Sequence, residues 1–258
     1  MGNGTIRLTF LGTGTSCGVP VIGCSCRVCL STDPHDKRLR CSVLVETQST
    51  RLLIDCGPDF RQQMLSQEFR KIDALLITHP HYDHVAGIDD IRPFCIFGDI
   101  DIYGNEHTVK TLKHNMPYCF SEIKYPGVPE LRLHTIEPHH ILHIGDFDIM
   151  PIEIMHDKLP ILGYRIGNLA YITDMKTIDP RELDYLHNID ILIVNALRFE
   201  PPHHSHQSVD EAIRFSRQIC ARRTLLTHSC HDIGLHAEVN RQLPKDIQLA
   251  YDGQILWL

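Results

Sequence analysis

Thr78-His79-Pro80-His81-Tyr82-Asp83-His84 places three imidazoles and a carboxylate within six residues, directly after the apolar run 74–77. In an extended turn, His79 and His81 point to one side and can share one cation. Asp83 and His84, at the start of the next helix, can turn towards a second. Neutral imidazole and carboxylate suit Zn²⁺, Mn²⁺ or Fe²⁺. A His-rich surface turn would explain neither the compact spacing nor the strand-like run before it.

The pattern recurs along the chain. The run 149–154 leads to His156, 169–172 to Asp174, and 224–226 to His228. Four apolar runs therefore each deliver a metal-capable side chain within three residues of their ends. In sheets covered by helices, ligands gather at strand ends, where loops carry side chains on a rigid base. Runs at 6–11, 42–46, 52–54 and 191–194 are also rich in Leu and β-branched residues and bounded by turn formers, which predicts strands. Helical patterns lie at 59–69, 108–116, 180–186 and 208–221, the last opened by a capping box of Ser208 and Glu211. A closing strand is expected at 254–258. With no repeat, low-complexity tract or linker, residues 1–258 are expected to form a single-domain α/β sandwich.

Composition sets the outer bounds. The 258 residues carry 32 acidic and 25 basic side chains, a net charge of −7, which argues against broad, unspecific nucleic-acid binding. No run approaches the ~18 apolar residues of a membrane span, and the opening Met1-Gly2-Asn3-Gly4-Thr5-Ile6 has no signal stretch, so a cytoplasmic location is expected. Ten cysteines and 18 histidines then suggest thiols and metal ligands rather than a disulfide frame.

His79-X-His81-X-Asp83-His84 after a strand resembles the signature of the metallo-β-lactamase superfamily. The likeness extends from Leu11-Gly12-Thr13-Gly14-Thr15 through Leu53-Ile54-Asp55-Cys56-Gly57 to Asp174 and His228, nearly the whole chain. It implies an αββα sandwich with two metal ions at one edge of the sheets. His79, His81 and His156 would hold one ion, Asp83, His84 and His228 the other, and Asp174 would bridge them. Asp55 matches an acid that steadies the His loop. Two cations about 3.5–4 Å apart can share a water and present hydroxide at neutral pH. Their charge outweighs Asp83, Asp174 and that hydroxide, so the centre can attract a phosphodiester and stabilise its transition state.

The leaving oxygen then needs a proton. His203, His204 and His206 stand in a loop before the last helical pattern. The phosphodiesterase branch of the superfamily has a His in such a loop, in the pattern His-X-Ser-hydrophobic-X-Glu-Ala, as general acid or phosphate contact. His206 fits that pattern best, and imidazole suits the task because its pKa lies near working pH. His206 and Asp83 are thus the expected catalytic residues.

Cys24-Ser25-Cys26-Arg27-Val28-Cys29 puts three thiols in six residues, a spacing that can wrap one face of a tetrahedral Zn²⁺. The fourth ligand is expected to be His231, with Cys230 as a competitor and Cys17 a further thiol nearby. This pairing resembles the subgroup typified by the phosphoribosyl cyclic phosphodiesterase of the carbon–phosphorus lyase pathway. There, such ligands bind a structural zinc, here within a loop at about 17–30. Arg92 could reach a substrate phosphate, although an ion pair with Asp89 or Asp90 is an equal alternative.

The function expected is a metal-dependent phosphodiesterase acting on a small, cyclic or short phosphodiester, with Zn²⁺, Mn²⁺ or Fe²⁺ at the centre and homodimerisation implied by relatives. A tRNA 3′-processing nuclease of the superfamily would carry a long arm between the positions of His156 and Asp174, where only 17 residues stand. A glyoxalase-type thioesterase would bring a helical extension where the chain has about 30 residues after His228. A secreted zinc β-lactamase commonly has Cys where Asp174 stands. A flavo-diiron oxidase would need a flavin domain. A zinc-stabilised binding module should lack at least one ligand, yet all seven are present.

Overall fold

Apolar residues at both odd and even positions of the short runs have a direct structural cause. In the computed structural model, which describes residues 5–121 and 126–258, these strands are covered on both faces. Val43, Val45, Leu52, Ile54, Ala74 and Leu76 point into the space between two sheets. Leu44, Leu53 and Leu75 point outward beneath helices. In the other sheet Leu169, Tyr171, Ile191, Ile193 and Leu225 face inward. Ala170, Ile172, Leu192, Val194 and Leu226 face the outer helices. Residues 1–4, the opening of the chain, and 122–125 lie outside the described residues.

The first sheet contains β1 (Arg7–Gly12), β2 (Ser42–Glu46), β3 (Arg51–Ile54), β4 (Ala74–Leu76), β5 (Ile100–Gly104) and β6 (Leu131–Thr135). The second contains β7 (Leu142–Ile144), β8 (Phe147–His156), β9 (Leu159–Ile166), β10 (Leu169–Ile172), β11 (Ile191–Asn195), β12 (Arg223–Thr227) and β13 (Ile247–Leu249). The closing strand β14 (Ile255–Trp257) returns to the first sheet. Among the described residues the orders are β14-β1-β2-β3-β4-β5-β6 and β13-β12-β11-β10-β9-β8-β7. In each sheet one half is antiparallel and the other, β3 to β6 or β10 to β13, is parallel. The parallel halves send the C-terminal ends of neighbouring strands to one edge. The expected αββα sandwich is the observed fold.

Helices α1 (Phe60–Met64), α2 (Tyr82–Val85), α3 (Glu106–Asn115) and α4 (Pro117–Phe120) follow strands of the first sheet. Helices α5 (Val209–Gln218) and α6 (His236–Gln242) follow strands of the second. The capping box at Ser208 and Glu211 opens α5 as expected. Two helical patterns differ from expectation: 59–69 yields only the shorter α1, and 180–186 keeps its length but forms a 3₁₀ helix capped by Asp179. Strands β5, β6, β7, β9 and β13 were not legible as runs. Within β9, Pro160 and Gly163 interrupt the apolar signal, and a Cβ at Gly163 would sit 2.5 Å from Ile172 Cδ1, so a larger residue there would force Ile172 to move.

Two bonds tie the sheets together beside the His motif. The buried Tyr164 hydroxyl donates to the Ile77 carbonyl at 2.6 Å, and the Leu162 N–H donates to the Thr78 carbonyl at 3.0 Å. Away from the motif, Glu46 is almost wholly buried and accepts from Arg7, Arg51 and Arg70 at 2.6–3.0 Å. Arg51 is itself fully covered, so the two charges must compensate each other. Glu46→Ala, which strands Arg51, is expected to cost about 3–5 kcal/mol in urea unfolding; a loss below about 1 kcal/mol would contradict that assignment.

Candidate metal centre

The edge where β4, β8, β10 and β12 end gathers the expected ligands into two groups. The ligand atoms of His79, His81 and His156 lie within 4.8 Å of one another, as do those of Asp83, His84, Asp174 and His228. His79 leaves β4 through Thr78, His156 closes β8, and Asp174 and His228 follow Thr173 and Thr227 just past β10 and β12. His81 caps the short helix α2, which carries Asp83 and His84. Six of the seven are buried; His81 is exposed.

Asp174 spans the two groups. Its Oδ1 is 3.5 Å from His84 Nε2 and 3.2 Å from His228 Nε2, and its Oδ2 is 3.7 Å from His79 Nε2. Asp83 Oδ2 lies 3.2 Å from His84 Nε2 and 3.4 Å from His228 Nε2. Asp55, Asp174 and His228 adopt left-handed φ values of 61°, 57° and 54°. Such backbone persists where surrounding bonds over-determine it.

Those bonds also orient the rings. Thr78 donates through its backbone N–H and hydroxyl to Asp55, at 2.9–3.0 Å, and its Oγ1 lies 3.0 Å from His79 Nδ1. His84 Nδ1 donates to Asp55 at 2.7 Å. His156 Nδ1 donates to the carbonyls of Asp174 and Ser205 at 2.8 and 3.0 Å. With Nδ1 engaged, these rings offer Nε2 to the centre, which is how outer bonds set the coordinating nitrogen. His84 Nε2 and His206 Nδ1 are buried and have no hydrogen-bond partner among the described residues. Buried imidazole nitrogens converging on two carboxylates fit a cation.

Charge balance agrees. Burial pushes Asp83 and Asp174 up, but His84 and His228 outweigh it and hold both carboxyls below their ordinary range. Burial pushes His84 down, but Asp83, Asp174 and Asp55 raise it well above the ordinary value. A site that gathers this much positive charge around two buried carboxylates suits divalent cations.

His206 stands against this centre, its ring 4.8 Å from that of His156 and 4.9 Å from that of His228, with Nδ1 3.9 Å from Asp174 Oδ2. Burial lowers its pKa to about 3; Asp174 opposes this, while His228, His156 and His203 add to it. The ring is therefore neutral at pH 7. His203 stacks on His206 at 5.0 Å, and His204 lies beyond it. Arg92 is elsewhere engaged: it pairs with Asp89 at 2.8–2.9 Å and lines a groove with Phe60, Met64, Phe69 and Phe94.

Cys24, Cys26, Cys29 and His231 form another group within 4.8 Å, with His231 Nδ1 3.4 Å from Cys24 Sγ and 3.2 Å from Cys26 Sγ. Cys17 and Cys230 lie outside it. Backbone bonds between Thr13 or Thr15 and Ser229 stitch the N-terminal segment to the strand end bearing His228 and His231. Thr78 and Thr173 were missed from sequence as supports. Their signal was present, since Thr directly precedes His79, Asp174 and His228.

The chain matches the β-lactamase superfamily domain over residues 50–229. A solved diphosphatase of the PhnP family is 40% identical with a TM-score of 0.91, covering 98% of this chain and 97% of that one. An octanoyltransferase from Porphyromonas gingivalis is 43% identical over 249 residues, 96% of this chain and 51% of that protein. A ribonuclease Z from Methanococcus maripaludis is 26% identical over 166 residues, 62% of this chain and 48% of that one. The chain thus spans about half the length of these curated relatives. It belongs to the metallo-β-lactamase superfamily and, within it, to the PhnP-like subgroup.

If the thiolate group binds structural zinc, Cys26→Ser should lower zinc content by about one ion per chain and reduce thermal stability, because such zinc contributes directly to folding. Elemental analysis and a melting curve check this; unchanged values for both would refute the site.

Proposed function

We propose that this chain is a metal-dependent phosphodiesterase acting on a small, cyclic or short phosphodiester. The carrying observation is the Asp174 carboxylate spanning two ligand groups, with a neutral imidazole, His206, beside it. His79, His81 and His156 would hold one divalent ion and Asp83, His84 and His228 the other, with Asp174 common to both. When bound, such ions supply Lewis acidity, which acidifies water and offsets the charge of a phosphate. Zn²⁺, Mn²⁺ and Fe²⁺ all suit these donors, and the Cys24, Cys26, Cys29 and His231 group suits a structural Zn²⁺.

The protein's own part is orientation and proton supply. Asp55 and Thr78 hold His84 and His79 in place before substrate arrives. Burial keeps His206 neutral, so the ring offers one N–H to a substrate oxygen. An anionic phosphate beside the ring raises its proton affinity, which suits it to hold the proton needed by the leaving oxygen. For Arg92 to contact substrate, its ion pair with Asp89 would first have to open.

Two other activities fit less well. The octanoyltransferase is about twice this chain's length, and this chain matches only 51% of it. The thiol beside His228's strand, Cys41, is buried, bonded to Thr227 and pushed up to about 12, so it is no acyl acceptor. Against a nuclease with an arm between His156 and Asp174, that interval is filled by β9 and β10.

The test is hydrolysis of bis(p-nitrophenyl) phosphate with Mn²⁺ or Zn²⁺, beside p-nitrophenyl phosphate and a thioester. Diesterase activity should disappear in Asp174→Ala. His206→Ala should lose at least about a hundredfold in kcat, the scale of general acid–base catalysis, while retaining its bound metal. Thioester cleavage without diesterase activity would overturn the proposal, and metal loss in His206→Ala would make that residue a ligand.

A further inference from the structure

The backbone around His206 is tied to the strand ends that carry the ligands. Gln207 N–H donates to the Met175 carbonyl at 3.2 Å, and Met175 is in turn clamped by the Asn195 amide at 2.8 and 3.0 Å. The Ser205 carbonyl accepts from His156 Nδ1. His206 itself has one main-chain hydrogen bond among the described residues: its carbonyl accepts from Lys176 Nζ at 3.3 Å. The ring packs against those of His156, His203 and His228 but makes no hydrogen bond at Nδ1, so its backbone supplies the directional hold. Where the imidazole stands therefore depends on where its backbone is held.

Lys176 is itself held. It lies two residues beyond Asp174, and its ammonium donates to both Glu211 carboxylate oxygens, at 2.9 and 3.0 Å. Glu211 also accepts the Ser208 N–H at 2.8 Å, closing the capping box of α5. Burial pushes the Glu211 carboxyl up, but the bonds from Lys176 and Ser208 outweigh it and keep it below the ordinary range. The two side chains are 19% and 29% exposed, too covered for an ordinary surface pair with free rotamers. One lysine thus joins three parts: the strand end bearing Asp174, the His206 main chain and the first turn of α5.

We propose that Lys176 and Glu211 are the positioning pair for His206: Lys176 pins the His206 carbonyl to the strand end bearing Asp174, and Glu211 fixes Lys176 from α5. This rests on the reading of His206 as a group that acts on substrate. The pair does not touch the reacting atoms in this account. It sets the distance between the imidazole and the centre, and small displacements of such groups cost catalysis steeply.

The experiment is a mutant cycle on the metal-loaded protein with bis(p-nitrophenyl) phosphate, using Lys176→Met, Lys176→Arg, Glu211→Gln, His206→Ala and Lys176→Met/His206→Ala. Metal content and melting temperature are measured for each. Lys176→Met and Glu211→Gln should each lower kcat about tenfold or more, with KM and metal content little changed. Lys176→Arg should recover part of the loss. Glu211→Gln keeps an oxygen for the cap, so it carries the test if Lys176→Met folds poorly. In the His206→Ala background Lys176→Met should cost nothing further, because coupled residues are not additive. A full further loss there would overturn the proposal, as would unchanged kcat in both single variants of the pair. Full turnover in His206→Ala would instead remove the role of His206, a failure recognisable before the pair is considered.

Discussion

Asp83 and Asp174 are buried carboxylates placed among His79, His84 and His228 at the edge of two sheets, and their compensation governs the design around them. Buried charge is tolerated only where opposite charge and hydrogen bonds meet it closely. Here the imidazoles meet it, and divalent cations would meet it more fully. The fold supplies what such a cluster needs, which is several strand ends at one edge, each fixed on both faces. Parallel halves in both sheets deliver those ends, and the apolar layer between the sheets keeps them from shifting.

Support beyond the ligands is concentrated in small polar side chains. Thr78 connects Asp55 to His79, and Thr173 donates to Asp174 Oδ1 at 2.8 Å. Asp55, although not among the grouped ligands, lies in the left-handed region and anchors both His84 and Thr78. Burial pushes its carboxyl up, against the bonds from His84 and Thr78. The positive-φ positions at Asp55, Asp174 and His228 mark where the chain turns sharply enough to aim a side chain inward. These turns are stabilised by bonds made elsewhere, including the Tyr164 hydroxyl that reaches from one sheet to Ile77 of the other.

Much of this was legible in the sequence because its signals are local. The apolar runs mark doubly covered strands, and the six residues from His79 to His84 carry their own spacing. The gathering of His156, Asp174 and His228 followed from a shared position after strand ends. What was not legible depends on tertiary context. Strand β9 is broken in sequence by Pro160 and by Gly163, whose missing side chain makes room for Ile172. The 180–186 pattern forms a 3₁₀ helix rather than an α-helix, with the Asp179 side chain capping its start. For Arg92 the sequence left substrate contact and an ion pair with Asp89 or Asp90 both open, and the pair with Asp89 is the one that forms. Lys176 carried no motif; its significance comes from where the His206 carbonyl and Glu211 are brought in space.

The proposed function requires a centre able to hold two ions that share one carboxylate. The most direct measurement is electron paramagnetic resonance of the protein titrated with Mn²⁺. With a shared carboxylate, the second equivalent should convert the spectrum to that of an exchange-coupled pair, and Asp174→Ala should abolish the coupling. Spectra of isolated Mn²⁺ at every loading would contradict it, because the two ligand groups would then not form one dinuclear site.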